Sequence, residues 1–193
     1  MTPAGHGTRR PRTDARRNRE RLLAAAREVF AEAGPDASLN EIARRADVGP
    51  GTLYRHFPTR HALLTAVVRD RVETLCEQAA ELLTADRADD GLDRWLRIFL
   101  AHARTSQGLT GAWLVEGAGE PAFDCHRMIL DAATALLTRA QRHGTARPDL
   151  TPADLLQLVV GIALSTARAE DDPARSERLL AITLDAVHSP ARR

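Results

Sequence analysis

Apolar residues recur at steps of three and four through most of the chain, the spacing of one helix face. Leu22, Leu23, Ala26, Val29 and Phe30 form the first stripe, on a helix that the pattern starts near Arg16 and that Gly34-Pro35 stops. A second, shorter stripe holds Leu39, Ile42, Ala43 and Ala46 and ends near Asp47. Its start, Ser38-Leu39-Asn40-Glu41, has the form of a capping box, in which the serine hydroxyl accepts from the amide three residues on and the glutamate reaches back. Gly49 then permits a tight turn, Pro50 suits the first position of a helix, and Pro58 ends it. Residues 50–57 are thus left for a helix of about two turns. Thr59 caps a long helix whose stripe is Leu63, Leu64, Val67, Val68, Val72 and Leu75.

The helical spacing continues beyond residue 84. TADRADDG reads as a loop, and residues from about 91 to 105, with Leu92, Trp95, Leu96, Ile98, Phe99 and Leu100, as a helix. The stretch 106–121, SQGLTGAWLVEGAGEP, carries Gly108, Gly111, Gly117, Gly119 and Pro121 around a short apolar core at Ala112–Val115 and reads as a connector. Residues 122–142 form a further helix, followed by the loop HGTARPDL. Thr151-Pro152-Ala153-Asp154 is a strong helix start, with a cap, a proline in the first turn and an acid at the positive end. The helix it opens, to about residue 168, is apolar nearly all round: Leu155, Leu156, Leu158, Val159, Val160, Ile162 and Leu164. A last helix spans about 174–188 with Leu179, Leu180, Ile182, Leu184 and Val187. No stretch alternates as a strand does, so the expected fold is all-α.

Two short helices joined by a tight turn form a helix-turn-helix, whose second helix lies in the DNA major groove. A groove-reading helix needs only a couple of turns, which accounts for the brevity of 50–57. Leu53 and Phe57, four apart, would anchor it to Leu22, Phe30, Leu39 and Ile42, leaving Thr52, Tyr54, Arg55 and His56 outward. Threonine suits a phosphate or a thymine methyl, tyrosine a phosphate, arginine guanine or phosphate, and histidine either. The same spacing also fits a short helix between two turns with Tyr54 and His56 merely at a surface.

Charge sharpens the picture. The net +1 hides an asymmetry: residues 1–58 hold 11 Arg against 7 Asp and Glu, a balance of +4, and residues 59–193 hold 16 Arg against 19, a balance of −3. All 27 basic residues are arginine. Arg9, Arg10, Arg12, Arg16, Arg17, Arg19 and Arg21 are the tightest cluster, and a basic arm on an otherwise acidic chain fits a polyanion partner as well as it fits a solvated tail. The first 14 residues, rich in Gly, Pro, Thr and Arg, are expected to be disordered. No run approaches the roughly 20 apolar residues of a membrane span, and the N-terminus lacks the apolar core of a secretory signal, so the expected location is the cytoplasm. Cys76 and Cys125 form no CxxC pair and read as free thiols.

From Arg21 to Leu64 the sequence, LLAAAREVFAEAG and then SLNEIARRADVGPGTLYRHFPTRHALL, resembles the DNA-binding domain of the TetR family of bacterial repressors. The resemblance covers about 45 residues and combines helix lengths, turn glycines and the T-L-Y-x-H-F signature; VGPGTLYRHFPTRHALL further suggests an SbtR-like subgroup. It implies that Thr52, Tyr54 and His56 face DNA, that Ser38 contacts phosphate and that Arg60 does so from the start of the fourth helix. Gly49 departs from the Ser or Thr of many members, which removes one polar contact. The charges agree: the arginines from Arg9 to Arg21, Arg16 and Arg17 among them, precede or begin the first helix, where they would follow the phosphates or enter a minor groove. The implied domains are a disordered basic arm over 1–14, a three-helix DNA-binding domain over 15–58, and an effector-binding and dimerisation domain over 59–193.

The resemblance places a dimer interface on the last two helices, through Leu155, Leu158, Val159, Ile162, Leu180, Leu184 and Val187; the alternative is burial inside the monomer, which part of both helices must serve. An effector pocket would lie among the middle helices, with Trp95, Phe99, His102, Trp113, Leu114, Phe123 and Met128 as candidates; the same aromatics also suit a plain core. GAGEPA at 117–122 fits G-x-G-x-x-A, but no strand precedes it and no acid follows at the required distance. Asp124-Cys125-His126 has no second ligand pair to close a metal site. No nucleophile elbow, zincin or phosphate-loop motif is present. The expectation is therefore a non-enzymatic, homodimeric regulator of transcription without cofactor or metal, binding a double-stranded pseudo-palindromic operator and released by an unidentified small molecule. The alternative is a helical small-molecule carrier or protein adaptor that does not recognise DNA sequence.

Overall fold

The computed structural model describes residues 10–85, 90–116, 124–167, 172 and 174–188, with the side chains of 10–12 and 106–116 outside that description. Among the described residues every regular element is helical: α1 (Arg10–Ala33), α2 (Leu39–Arg45), α3 (Pro50–His56), α4 (Arg60–Thr84), α5 (Gly91–Glu116), α6 (Cys125–Arg142), α7 (Pro152–Thr166) and α8 (Arg175–His188). The chain forms two compact units that divide inside α4, after Val67, rather than at Pro58; the first also takes residues 108–116.

The first unit is built by α1, α2, α3 and the start of α4 around Leu22, Ala26, Phe30, Ile42, Leu53, Phe57, Leu63, Leu64 and Val67. Its helix starts differ from expectation in two places. Helix α1 begins at Arg10, inside the segment expected as a disordered arm, because Pro11 in a first turn sacrifices no helical hydrogen bond; residues 1–9 lie outside the described residues. Ser38 is the N-cap of α2, but its side chain makes no cap bond. Glu41 instead accepts from Arg44 Nε and Nη2 at 2.8 and 2.7 Å and from Arg45 Nε at 2.9 Å. Two guanidinium groups outcompete a neutral amide for the carboxylate, and they hold it down to about 2. Arg45 also reaches Glu32 of α1 at 2.7 and 2.6 Å, tying the two helices together.

The turn between α2 and α3 rests on Asp47, not on Gly49. Asp47 has φ +52, whereas Gly49 is extended at φ −69. Val48 N donates to Ala43 O at 3.0 Å and Asp47 N to Arg44 O at 3.1 Å, the paired bonds of a Schellman C-cap with aspartate in the left-handed position that glycine usually fills. Gly49 O then accepts from Thr52 N and Leu53 N, opening α3. Thr59 accepts from Ala62 N at 3.0 Å and caps α4, as expected.

In the second unit α4 to α8 close around Leu75, Leu96, Leu137, Leu155, Val159 and Leu180. Trp95 is fully buried, donates its indole N–H to Leu75 O at 3.0 Å, and stacks on Phe99 with centroids 5.5 Å apart. Phe99 is followed by His102 at 6.5 Å. Burial, and secondarily Arg71, pushes the His102 imidazole down to about 4. The expected connector from 106 is instead helical: α5 continues to Glu116 through Gly108 and Gly111, since a glycine weakens a helix by about 1 kcal/mol without ending it. Thr151 and Asp154 form the full capping box that opens α7. At the end of α8, burial works against a charge on His188, but the Thr145 carbonyl and the Asp93 carboxylate on its two ring nitrogens outweigh that and push it up.

Two outcomes follow from these local features. Asp47→Val, which forces a β-branched residue into the left-handed region, should cost about 1–2 kcal/mol by urea denaturation, while Asp47→Gly should hold or raise stability; equal losses would contradict the strained C-cap. For His102 the folded pKa lies below the unfolded one, so the contribution is complete above about pH 6.5 and is lost as pH falls toward 4, up to about 3 kcal/mol. His102→Leu should lose less stability than the parent between pH 7 and pH 4.5, and equal losses would contradict the burial of a neutral imidazole.

Candidate nucleic-acid interface

Helix α3 is seven residues long, too short to persist alone. It is held from one side. Leu53 and Phe57, one turn apart, are both buried against α1, α2 and the start of α4. That seating decides what is left outside. Tyr54 is 49% exposed; Arg55 is exposed, and Thr52 and His56 are half-buried beside it. The four side chains expected to face a groove therefore flank one another on an element whose orientation is set by the opposite face. Basic residues Arg55 and His56 fill its last turn, and it has no acid in its first.

The other expected contacts are placed unequally. Ser38 is exposed at the start of α2. Arg60 is half-buried, and its Nη1 donates to Pro35 O at 2.8 Å and Ala37 O at 2.6 Å. Its role in the fold is to pin the loop ahead of α2, through contacts 25 and 23 residues away in the chain that no local pattern reveals. On α1, Arg16 is exposed and paired with Glu20 at 3.1 Å. Arg17 lies on the outer face, beside a shallow groove of about 810 Å³ also lined by Asp14, Asn18, Glu20, Arg21 and Arg27. Arg21 reaches Asn18 Oδ1 at 2.8 Å and Asp47 Oδ2 at 3.3 Å. The arginine that α1 brings to α3 is Arg19, whose guanidinium lies 5.5 Å from the centroid of Phe57. It was legible in the sequence from its phase: it stands three residues before Leu22 and four before Leu23.

The residues proposed for an effector are in part core. Trp95, Phe99 and His102 form one stack on α5, with Trp95 and Phe99 buried and His102 half-buried. Met128 is half-buried on α6, its carbonyl accepting from Cys76 Sγ at 3.6 Å. Phe123 and the side chains of Trp113 and Leu114 lie outside the described residues. Among the described residues no group of three His, Cys, Asp or Glu could hold a metal ion, and no helix is long and apolar enough to cross a membrane.

The expected dimer face needs correction. Leu155, Val159, Leu180, Leu184 and Val187 are buried in the protomer's own core. Leu158 is 51% exposed and Ile162 half-buried, and Leu164 at 61% and Ile182 at 65% join them outside. A helix apolar on every side does not announce in its sequence which stripe faces inward; packing against α6 and α8 decides it. Leu158, Gly161 and Ile162 border a shallow groove of about 650 Å³ with Asp154, Gln157 and Ser165.

Comparison with known proteins agrees with this division. Residues 22–67 match the model for bacterial regulatory proteins of the tetR family, and residues 87–188 match the C-terminal domain of SbtR-like transcriptional regulators. The HTH-type transcriptional regulator UidR of Escherichia coli is 29% identical over 169 residues, covering 82% of this chain and 86% of that protein. A TetR transcriptional regulator from Streptomyces coelicolor is 40% identical with TM-score 0.79, covering 90% of this chain and 99% of the other. A TetR regulatory protein from Mycobacterium vanbaalenii is 36% identical with TM-score 0.76, covering 92% and 99%. With one family model on the helix-turn-helix, a second across more than half of the sequence, and close relatives spanning nearly all of it, the chain belongs to the TetR family of bacterial transcriptional regulators, DNA-binding proteins rather than enzymes.

Proposed function

We propose that the chain acts in the cytoplasm as a homodimeric repressor that reads a pseudo-palindromic operator with α3 and leaves it when a small molecule binds the second unit. The observation that carries this is the two-sidedness of α3: Leu53 and Phe57 inward, Tyr54 and Arg55 outward, Thr52 and His56 at the edge. A helix anchored so can present base-reading groups without rearranging on contact. Thr52, Tyr54, Arg55 and His56 read the groove, and Ser38, Arg16 and Arg17 hold the backbone, which sets the orientation of the reading helix. Arg60 serves the interface by fixing the loop that leads to Ser38.

Dimerisation uses the exposed stripe Leu158, Leu164 and Ile182 with Val160 and Ile162 at its margins. Large apolar side chains left in water on two adjacent helices fit a self-complementary interface, and two-fold symmetry would make the operator palindromic. The effector is received near Phe99, His102 and Met128, backed by Trp95, with Trp113 and Phe123 as further candidates. A neutral His102 in apolar surroundings favours an uncharged donor or acceptor on that molecule. The effector acts only through its preference for the arrangement that does not bind DNA, and α4, which contributes to both cores, is the segment through which that preference is felt.

Tyr54→Ala should abolish sequence-selective binding to DNA from upstream of the gene while leaving thermal unfolding and the dimer unchanged; normal binding by that variant, or binding indifferent to sequence and salt in the parent, would favour a carrier or adaptor instead. Ile182→Arg should convert the dimer to a monomer in light scattering and weaken operator binding more than tenfold, the loss of more than about 1.4 kcal/mol. A dimer of unchanged stability would move the interface elsewhere.

A further inference from the structure

Arg19 occupies a position that helical phase assigns to the core. It precedes Leu22, Leu23, Ala26 and Phe30 by three, four, seven and eleven residues, so it continues the buried stripe of α1 one turn beyond its last apolar member. Across from it stands Phe57, the C-cap of α3. Phe57 is buried, yet Arg19 remains exposed, with its guanidinium carbon 5.5 Å from the ring centroid. That is cation–π range. The carbonyl end of α3 adds a second attraction for a cation.

Stacking occupies the flat face of a guanidinium and leaves its N–H edges available. Among the described residues Arg19 donates to no acceptor. Arg55 and His56 occupy the same end of α3, and the His56 ring lies 6.3 Å from that of Phe57. The Arg19 guanidinium and the His56 ring thus flank one phenyl ring, at the end of the helix that would enter the groove, with no acid in α3 to answer them. The complement of such a cluster is an anion with several acceptor oxygens.

We propose that Arg19 is a DNA-backbone contact in its own right: a phosphate clamp at the C-terminal end of α3, aimed in advance by the Phe57 ring. It differs from Arg16 and Arg17, which lie off the inner stripe of α1, and it rests on the reading of α3 as the groove helix. Because the ring fixes the guanidinium before DNA arrives, planarity matters as well as charge. Arginine and lysine are therefore not equivalent at this position.

The test is fluorescence anisotropy with labelled duplexes tiling the DNA upstream of the gene, titrated across a series of salt concentrations. Arg19→Ala should bind more weakly, with the slope of log affinity against log salt reduced by about 2, one phosphate contact from each protomer of the dimer, and with its ranking of duplexes unchanged. Arg19→Lys should keep the parent slope but bind more weakly than the parent. Thermal unfolding by circular dichroism checks the fold; if Arg19→Ala melts early, Arg19→Gln, which keeps most of the apolar stem, takes its place with the same expected slope. A neutral variant that binds with the parent slope overturns the clamp alone. A parent protein whose duplex binding ignores salt overturns the DNA reading, and the clamp with it.

Discussion

The interface depends on the burial of two side chains one helical turn apart. A seven-residue helix has almost no stability of its own, because the cost of nucleating it is recovered over too few hydrogen bonds. Leu53 and Phe57 supply what is missing, each worth about 1.5–3 kcal/mol when removed from water. Their partners come from three other helices: Leu22 and Phe30 on α1, Ile42 on α2, Leu63 and Leu64 on α4. The anchor therefore fixes both the existence of α3 and its rotation about its own axis. Tyr54 is outside because Leu53 and Phe57 are inside. The polar scaffold around the anchor has the same purpose: Glu32, Glu41 and Arg45 join α1 to α2, Arg60 holds the loop between them, and the Asp47 C-cap sets the turn into α3.

The second unit obeys the same rule with a different remainder. Its core absorbs one stripe of α7 and one of α8, and what the core does not absorb, Leu158, Leu164 and Ile182, stays in water. In the first unit the remainder is polar and basic; in the second it is apolar. Under the proposed function, each remainder matches the chemistry of its partner, a phosphate-lined groove for one and an apolar surface for the other.

Much of this was legible in the sequence. The stripes of α1, α2, α4, α5 and α8 follow the helical period, and Thr59 and Thr151 cap the helices they were expected to cap. The outward face of α3 follows from Leu53 and Phe57 being four apart. What failed did so where two local rules competed. Ser38 and Glu41 have capping-box spacing, but two arginines within one turn claim the carboxylate. Gly49 suggested the tight turn, but aspartate tolerates positive φ well enough for Asp47 to take it. Gly108 and Gly111 looked like the end of α5 and are only weak points within it. On α7, an all-apolar pattern carries no phase, so the buried and exposed leucines are separable only after α6 and α8 are in place. For Arg60 the resemblance implied a phosphate contact, and its bonds to Pro35 and Ala37 join residues too far apart in the chain for any local pattern to reveal.

Dimethyl sulfate footprinting of the protein on its own upstream DNA addresses the seating of α3 most directly, because the reagent methylates guanine N7, the atom a groove-reading arginine or histidine would cover. Two symmetric clusters of protected guanines on one face of the duplex, lost on Leu53→Ala as the anchor fails, are the predicted result. Guanines that remain fully reactive beneath bound protein would mean that α3 lies outside the major groove.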